Sequence, residues 1–321
     1  MKKHRVGVIG TGYLGRRHAA KLARMRDVVL EGVCDLDLRR ASAVADAAGS
    51  RVFASASALL ARVDAVVIAV PAAWHAELTM EALEAGVSVL VEKPLATSLE
   101  DAAALVRAAR HRGLILAVGH VERFNPALTC ALPFLEHPAR IDVRRLGLFS
   151  ARGAATDIVL EVMIHDLDIL IDRLGMPAGV ATLKDVNGPS LHHRRVVLTW
   201  AEGSRATVVA SRIAGCRERV IAWRSAGRFV HVDLDIPRVH WRRVDLGRVV
   251  ERDFRPSLPG DAGYGDPLDL ELRDFVDALR LDRQPRIPGV EGLRAMTLAC
   301  RILEGRAASF SESPECLPGE G

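Results

Sequence analysis

Lysine is scarce in this chain: of 44 basic residues among 321, five are lysine and the rest are arginine. Aromatic residues are scarce too, at 4%, with only two tyrosines and four tryptophans. The arginines are spread along the chain with no aromatic-interleaved basic run. A formal charge of +4 and a pI near 9.0 therefore do not point to a nucleic-acid partner. The five cysteines, Cys34, Cys130, Cys216, Cys300 and Cys316, are odd in number and widely spaced, with no Cys-x-x-Cys pair. That spacing excludes a disulfide framework and a structural zinc, and no metal site is expected. No apolar run approaches the ~20 residues of a membrane span, and no signal peptide precedes the first strand, so a cytoplasmic location is expected. The length suits two domains, each large enough to bury a core.

Against that background, Lys93 stands out. It lies in Glu92-Lys93-Pro94, directly after the apolar strand Val87 to Val91. A lysine ammonium is a compact, titratable donor, whereas an arginine presents a planar fork that keeps its proton. A chain that otherwise writes arginine has kept a lysine here, either at a reacting centre or simply at the start of a helix.

The first strand, Arg5 to Ile9, breaks into Gly10-Thr11-Gly12-Tyr13-Leu14-Gly15 and then into a helix-like stretch from Arg16 to Met25. In a strand, glycine turn and helix of this kind, Gly10 permits the turn, Gly12 admits a pyrophosphate and Gly15 lets helix and strand pack closely. Thr11, Tyr13 and Leu14 complete the cofactor loop. The second strand, Val28 to Cys34, ends in Asp35, about 20 residues after the last glycine, where a ribose-binding acid belongs. A carboxylate there accepts ribose hydroxyls and repels a 2′-phosphate, so NAD is favoured over NADP. Arg39 and Arg40 follow closely and weaken that preference, unless they are only the solvated first turn of a helix over Leu38 to Ala48.

Strands alternate with helices through the first 125 residues, continuing with Arg51 to Phe53, Ala65 to Val70, Val87 to Val91 and Leu114 to Val118. Ser98 and Asp101 are spaced as a capping box for a helix over Ala102 to Arg110. Alternation of this kind predicts a doubly wound parallel sheet, an α/β fold. In such sheets ligands sit beyond the carboxyl ends of the strands. Pro71, His75, Glu92, Lys93 and His120 are therefore expected to face one crevice, the first four beside the cofactor and His120 beside the substrate.

After Pro126 the pattern changes to hairpins: Val196 to Trp200 with Ala206 to Ser211, and Arg219 to Trp223 with Phe229 to Leu234. These predict a second, α+β domain over 126–308 with a largely antiparallel sheet, which offers a face for a homo-oligomer. Helices are expected over Ile158 to Leu174, Leu268 to Leu281 and Val290 to Leu303, and a loose tail over 309–321.

The helix over Ile158 to Leu174 carries Glu161, His165 and Asp168 at spacings of four and three, one helical face. A histidine in such an apolar run is commonly a hydrogen-bonded core residue. Glu161, one turn earlier, offers a carboxylate that could orient the imidazole and stabilise its protonated form, as a general base requires. Asp168 either does the same, contacts substrate or caps a loop.

Taken together, Gly10-x-Gly12-x-x-Gly15, Glu92-Lys93-Pro94, Arg123-Phe124-x-Pro126, the helix bearing His165, Leu270-Glu271-Leu272-x-x-Phe275 and Gly292-Leu293-Arg294-Ala295 resemble the Gfo/Idh/MocA family of oxidoreductases. The resemblance spans nearly the whole chain and implies hydride transfer between a sugar or cyclitol carbinol carbon and a nicotinamide cofactor. It implies Lys93 as catalytic lysine, His165 as base and Glu161 as the acid. Two residues depart from the family pattern: Glu161 stands where an Asp is usual, and Met163 where many members have Gly, which should narrow the pocket. The stretches Gly119 to Pro126 and Met163 to Ile169 resemble the branch that oxidises C3 of UDP-N-acetylglucosamine. A nucleotide sugar requires a cation for its diphosphate, and Arg123 is the candidate, with a structural salt bridge as its other reading. An inositol or free-sugar dehydrogenase is the alternative enzyme. A non-catalytic NAD-binding sensor is the alternative of another class.

Overall fold

The computed structural model describes residues 3–136, 138–149, 156–183, 191–245, 248–256 and 266–305. Its contacts divide the chain into two units, one of residues 1–129 with 257–297 and one of residues 130–256 with 298–321. Among the described residues, no helix is long and apolar enough to cross a membrane.

In the first unit the order is β1 (His4–Ile9), α1 (Tyr13–Leu22), β2 (Val28–Cys34), α2 (Leu38–Ala48), β3 (Arg51–Phe53), α3 (Ala56–Leu60), β4 (Ala65–Ile68), α4 (His75–Glu84), β5 (Ser88–Glu92), α5 (Leu99–Arg112) and β6 (Leu116–Gly119). The six strands form a parallel sheet ordered β3-β2-β1-β4-β5-β6. The order reverses between β1 and β4, the switch point beyond which doubly wound sheets bind ligands. Strand β4 is apolar throughout and fully buried because helices cover both faces of the sheet. Ser98 caps α5 as its spacing predicts, its Oγ accepting from the Asp101 amide at 3.0 Å. Helix α1 starts at Tyr13, three residues earlier than the periodicity suggests, because the glycine turn itself forms its first cap.

In the second unit β7 (Arg140–Leu146) follows α6 (Pro126–Ala131) in the chain. A π-helical turn over Val159–Met163 runs into α7 (Ile164–Leu174), and then come β8 (Gly179–Thr182), β9 (His193–Thr199), β10 (Arg205–Ser211), β11 (Glu218–Ser225), β12 (Arg228–Asp233), β13 (Arg238–Asp245) and β14 (Arg248–Phe254). The eight strands are ordered β14-β13-β12-β11-β7-β10-β9-β8, and only β7 and β10 pair in parallel. The two expected hairpins are β9–β10 and β11–β12. Strand β14 is almost entirely exposed, so no alternation of buried and solvated residues marks it in the sequence.

The sequence pattern assigns residues 126–308 to one domain, whereas contacts group 257–297 with the first unit. Helix α8 (Pro267–Leu281) supplies the reason. Its Leu272, Phe275 and Val276 join the core cluster of Val6 and Val8 from β1 and Ala19 and Leu22 from α1. Burying a side chain of this size is worth ~1.5 to 3 kcal/mol, so this apolar face ties α8 to that core. After α8 comes α9 (Gly289–Leu303). The expected tail over 309–321 lies outside the described residues.

Candidate active site

The first unit carries the glycine turn, Asp35, Pro71, Glu92, Lys93 and His120 at or just beyond the carboxyl ends of its strands. The three glycines of the turn differ in what surrounds them. Gly10 has φ +89, and a Cβ there would lie 2.5 Å from the Ala69 carbonyl oxygen. A Cβ on Gly15 would lie 1.8 Å from the Gly10 carbonyl oxygen, so helix and strand can meet only over a glycine. Gly12, in contrast, has nothing within 4 Å of its Cβ position and caps α1 with no side-chain hydrogen bond. Open space at the uncapped N-terminus of a ten-residue helix fits a cofactor pyrophosphate.

Asp35 stands at the end of β2, where its carboxylate Oδ2 accepts from the Thr11 amide at 2.6 Å and from Thr11 Oγ1 at 2.8 Å. Oδ1 accepts from the Asp37 amide at 2.9 Å. The Arg40 guanidinium adds Nη2 to Oδ1 at 2.7 Å and Nε to Oδ2 at 3.3 Å. Burial alone would push this carboxyl up, but the Arg40 bonds and the Thr11 and Asp37 donors outweigh it and lower its pKa to about 2. Asp35 is thus ionised at every physiological pH. Arg40 is no mere solvated residue of the first turn of α2; it pairs with the very carboxylate that a ribose would use. Arg39 beside it is exposed.

At the carboxyl end of β5, Glu92 and the following Lys93 are half-buried. His18, buried on α1, donates from Nε2 to Glu92 Oε1 at 2.9 Å, tying the glycine-turn helix to the strand that carries Lys93. The other carboxylate oxygen lies over Gly119, where a Cβ would come within 3.0 Å of Oε2. Burial opposes ionisation of Glu92, yet the His18 hydrogen bond and the charges of His18, Lys93 and His75 hold its pKa below the usual range. Nearby, Glu271 on α8 is 3% exposed, and neither of its carboxyl oxygens has a hydrogen-bond partner among the described residues. Burial, reinforced by the charges of Glu92 and Asp274, raises its pKa well above the ordinary carboxylate range.

His75 is buried, its Nδ1 lying 2.6 Å from the Pro94 carbonyl oxygen and its Nε2 2.9 Å from that of Val70. The ring thereby bridges the turns after β4 and β5 and sets where Pro71 and Lys93 lie. Pro71 is exposed at the first of these turns, and Trp74, 51% exposed, follows it. His120 is buried just after β6. Arg123, in the short 3-10 turn Val121–Phe124, is also buried, and its Nη2 donates to Glu291 Oε2 at 3.0 Å. The salt-bridge reading of Arg123 therefore has a partner in place.

In the second unit, Glu161 sits in the π-helical turn and His165 one residue into α7, both half-buried, while Asp168 and Met163 are fully buried. The segment is held at two points. Asp157 Oδ1 accepts from the Val159 amide at 2.9 Å, and Arg194 of β9 donates to Asp157 Oδ2 at 3.2 Å. Asp166, the residue after His165, takes Arg145 of β7 in a bidentate pair, Nε to Oδ2 at 2.9 Å and Nη2 to Oδ1 at 2.8 Å. Both partners are at most 5% exposed. π-helical turns are rare and recur at functional sites, so the local helix geometry at Glu161 is itself informative. Among the described residues no cluster of three His, Cys, Asp or Glu side chains could hold a metal ion.

Sequence reasoning gave no role to His18, Arg145 or Glu271, and it named Arg40 without fixing its partner. The pairs His18–Glu92 and Arg145–Asp166 join residues far apart in the chain, and nothing local announces them. Arg40 lay within view, five residues after Asp35, but its direction was not legible.

Comparison with known proteins gives a consistent relationship. A family described as oxidoreductase, NAD-binding Rossmann fold, matches residues 4–120. Over 317 residues the chain is 33% identical to UDP-N-acetylglucosamine 3-dehydrogenase of Acidithiobacillus ferrooxidans, covering 93% of this chain and 96% of that protein. The solved structure of that enzyme superposes with a TM-score of 0.86 at 32% identity, covering 95% of this chain and 98% of the other. Inositol 2-dehydrogenase 3 of Saccharopolyspora erythraea is 40% identical over 125 residues, which is 38% of this chain and 37% of that enzyme. A levoglucosan dehydrogenase in complex with NADH and levoglucosan shares the fold, with a TM-score of 0.83 at 18% identity over 95% of this chain and 97% of the other.

Proposed function

The chain belongs to the Gfo/Idh/MocA family of oxidoreductases, and from that premise we propose that it moves a hydride between a carbinol carbon of a nucleotide sugar and NAD. The observation that carries the cofactor half is the contrast among the three glycines. Gly10 and Gly15 are closed in by backbone, and Gly12 alone opens on space at an uncapped helix start. NAD rather than NADP is favoured by an Asp35 carboxylate that stays ionised. The nucleotide-sugar half is supported by full-length similarity to an enzyme whose name specifies position 3 of UDP-N-acetylglucosamine.

When bound, NAD supplies the hydride acceptor. His165 takes the proton of the carbinol hydroxyl as the carbon–hydrogen bond gives up its electron pair, leaving a carbonyl group. Lys93 donates a hydrogen bond to the same oxygen and stabilises the negative charge that develops on it. Glu161 orients His165 or a neighbouring substrate hydroxyl. Asp166, paired with Arg145, fixes the helix that carries the base. Glu92, held by His18, fixes the strand end that carries Lys93. Proton transfer of this kind is typically worth ~10² to 10⁴ in rate.

The test is to mix the purified chain with NAD and a panel of UDP-sugars, inositols and free sugars, and to follow absorbance at about 340 nm, the reduced-nicotinamide band. Turnover with UDP-N-acetylglucosamine is expected. Turnover with inositol alone would replace the substrate assignment, and NAD binding with no turnover on any substrate would make the chain a sensor.

A further inference from the structure

The Asp35 carboxylate is already full. Ionised, it offers about four lone-pair positions, and five donors are aimed at it: the Thr11 amide and hydroxyl, the Asp37 amide, and Nε and Nη2 of Arg40. A ribose presenting two hydroxyls to this group must displace something. Two of the donors are backbone amides, and Thr11, at 1% exposure, is walled in. The Arg40 side chain is different, being 49% exposed on a flexible stem, while the carboxylate it grips is 7% exposed. Arg40 is the donor that can leave. Its other acidic neighbour holds it only loosely, with Nη1 3.9 Å from Asp37 Oδ2, and Leu36 is 98% exposed.

We propose that Arg40 is a displaceable latch on Asp35 and thereby the residue that sets the balance between the two nicotinamide dinucleotides. Ribose hydroxyls of NAD must compete with the guanidinium for Asp35. A 2′-phosphate instead gives the guanidinium a partner of its own, with a fork geometry that suits phosphate. The same side chain thus works against NAD and in favour of a 2′-phosphorylated cofactor, and the preference for NAD is smaller than Asp35 by itself would dictate. This inference rests on the dinucleotide reading given above.

Opposite signs from one substitution make it testable. The probes are NAD, NADP, AMP and adenosine 2′,5′-bisphosphate, each titrated calorimetrically into the full chain, the last two isolating the 2′-phosphate. In Arg40→Leu, NAD should bind about two- to fivefold more tightly, the release of an ion pair with one exposed partner. NADP and the bisphosphate should weaken about tenfold or more, the loss of a charge-assisted contact. Arg39→Leu, a neighbouring exposed arginine, should change neither affinity, and a thermal midpoint within experimental scatter of the parent's shows that Arg40→Leu stays folded. In the unsubstituted chain the affinity of the bisphosphate relative to that of AMP should fall as salt rises, because the exposed guanidinium's contact with the 2′-phosphate is screened. Unchanged affinities in Arg40→Leu, or weaker NAD binding, would overturn the latch. Failure of the unsubstituted chain to bind NAD or any fragment would instead overturn the dinucleotide reading, and the latch with it.

Discussion

Glu271 is where the structure makes its sharpest statement about stability. It lies on α8, with both carboxyl oxygens buried and unpartnered among the described residues, close enough to Glu92 and Asp274 to feel their charge. The folded state therefore holds Glu271 protonated above the pH at which the unfolded chain releases that proton, about 4.3 for a free Glu. Over that window the native state binds one proton more than the unfolded state, so stability falls as pH rises, by up to about 1.36 kcal/mol per unit, until the folded pKa is passed. Glu271→Gln should remove that slope, because the amide does not titrate. Glu271→Leu, similar in volume, should also remove the cost of a buried polar group without a partner, about 1 to 3 kcal/mol. At about 2 to 4 °C per kcal/mol for a unit of this size, the leucine variant should melt roughly 2 to 12 °C higher near neutral pH. Thermal melts of the parent and both variants between pH 5 and 8 give the measurement. If the leucine variant melts lower, or if the glutamine variant keeps the full pH slope of the parent, the carboxyl has a partner and the reasoning fails.

The remaining predictions concern the proposed chemistry and its support. Lys93→Arg should abolish most turnover while leaving NAD affinity close to that of the parent, since charge is kept but the compact donor becomes a longer fork; near-normal activity would reduce Lys93 to a structural residue. His165→Asn should stay folded and keep its cofactor, yet lose turnover by ~10²-fold or more together with the rise in rate on the alkaline side. A destabilised variant with an unchanged pH profile would mark His165 as a core residue instead. Arg145→Ala leaves Asp166 buried without its guanidinium and should cost about 3 to 5 kcal/mol, read as a lower denaturation midpoint; a loss below 1 kcal/mol would show that the pair does not anchor α7.

Much of the molecule could be read along the chain because the forces that shape those parts act between near neighbours. Alternating apolar runs and helical stretches give the six parallel strands their order of appearance, Ser98 announces the helix that follows it, and the spacing of Gly10, Gly12 and Gly15 can be recognised without coordinates. The same locality put Asp35 at the strand end and Lys93 after β5. What escaped was everything that depends on direction or on distant pairing. The amphipathic pattern of α8 says that one face is buried but not in which core, and only the packing of Leu272, Phe275 and Val276 beside β1 and α1 decided it. His18 and Glu92 are 74 positions apart, and Arg145 and Asp166 are 21, so no period or motif links them. Arg40 was in plain sight as a residue, but whether its guanidinium turned to water or to Asp35 depends on how α2 follows β2 in space. A side chain's type is written in the sequence; the partner it meets is set by the fold, because hydrogen bonds and charges act over a few ångströms of space and not over positions in the chain.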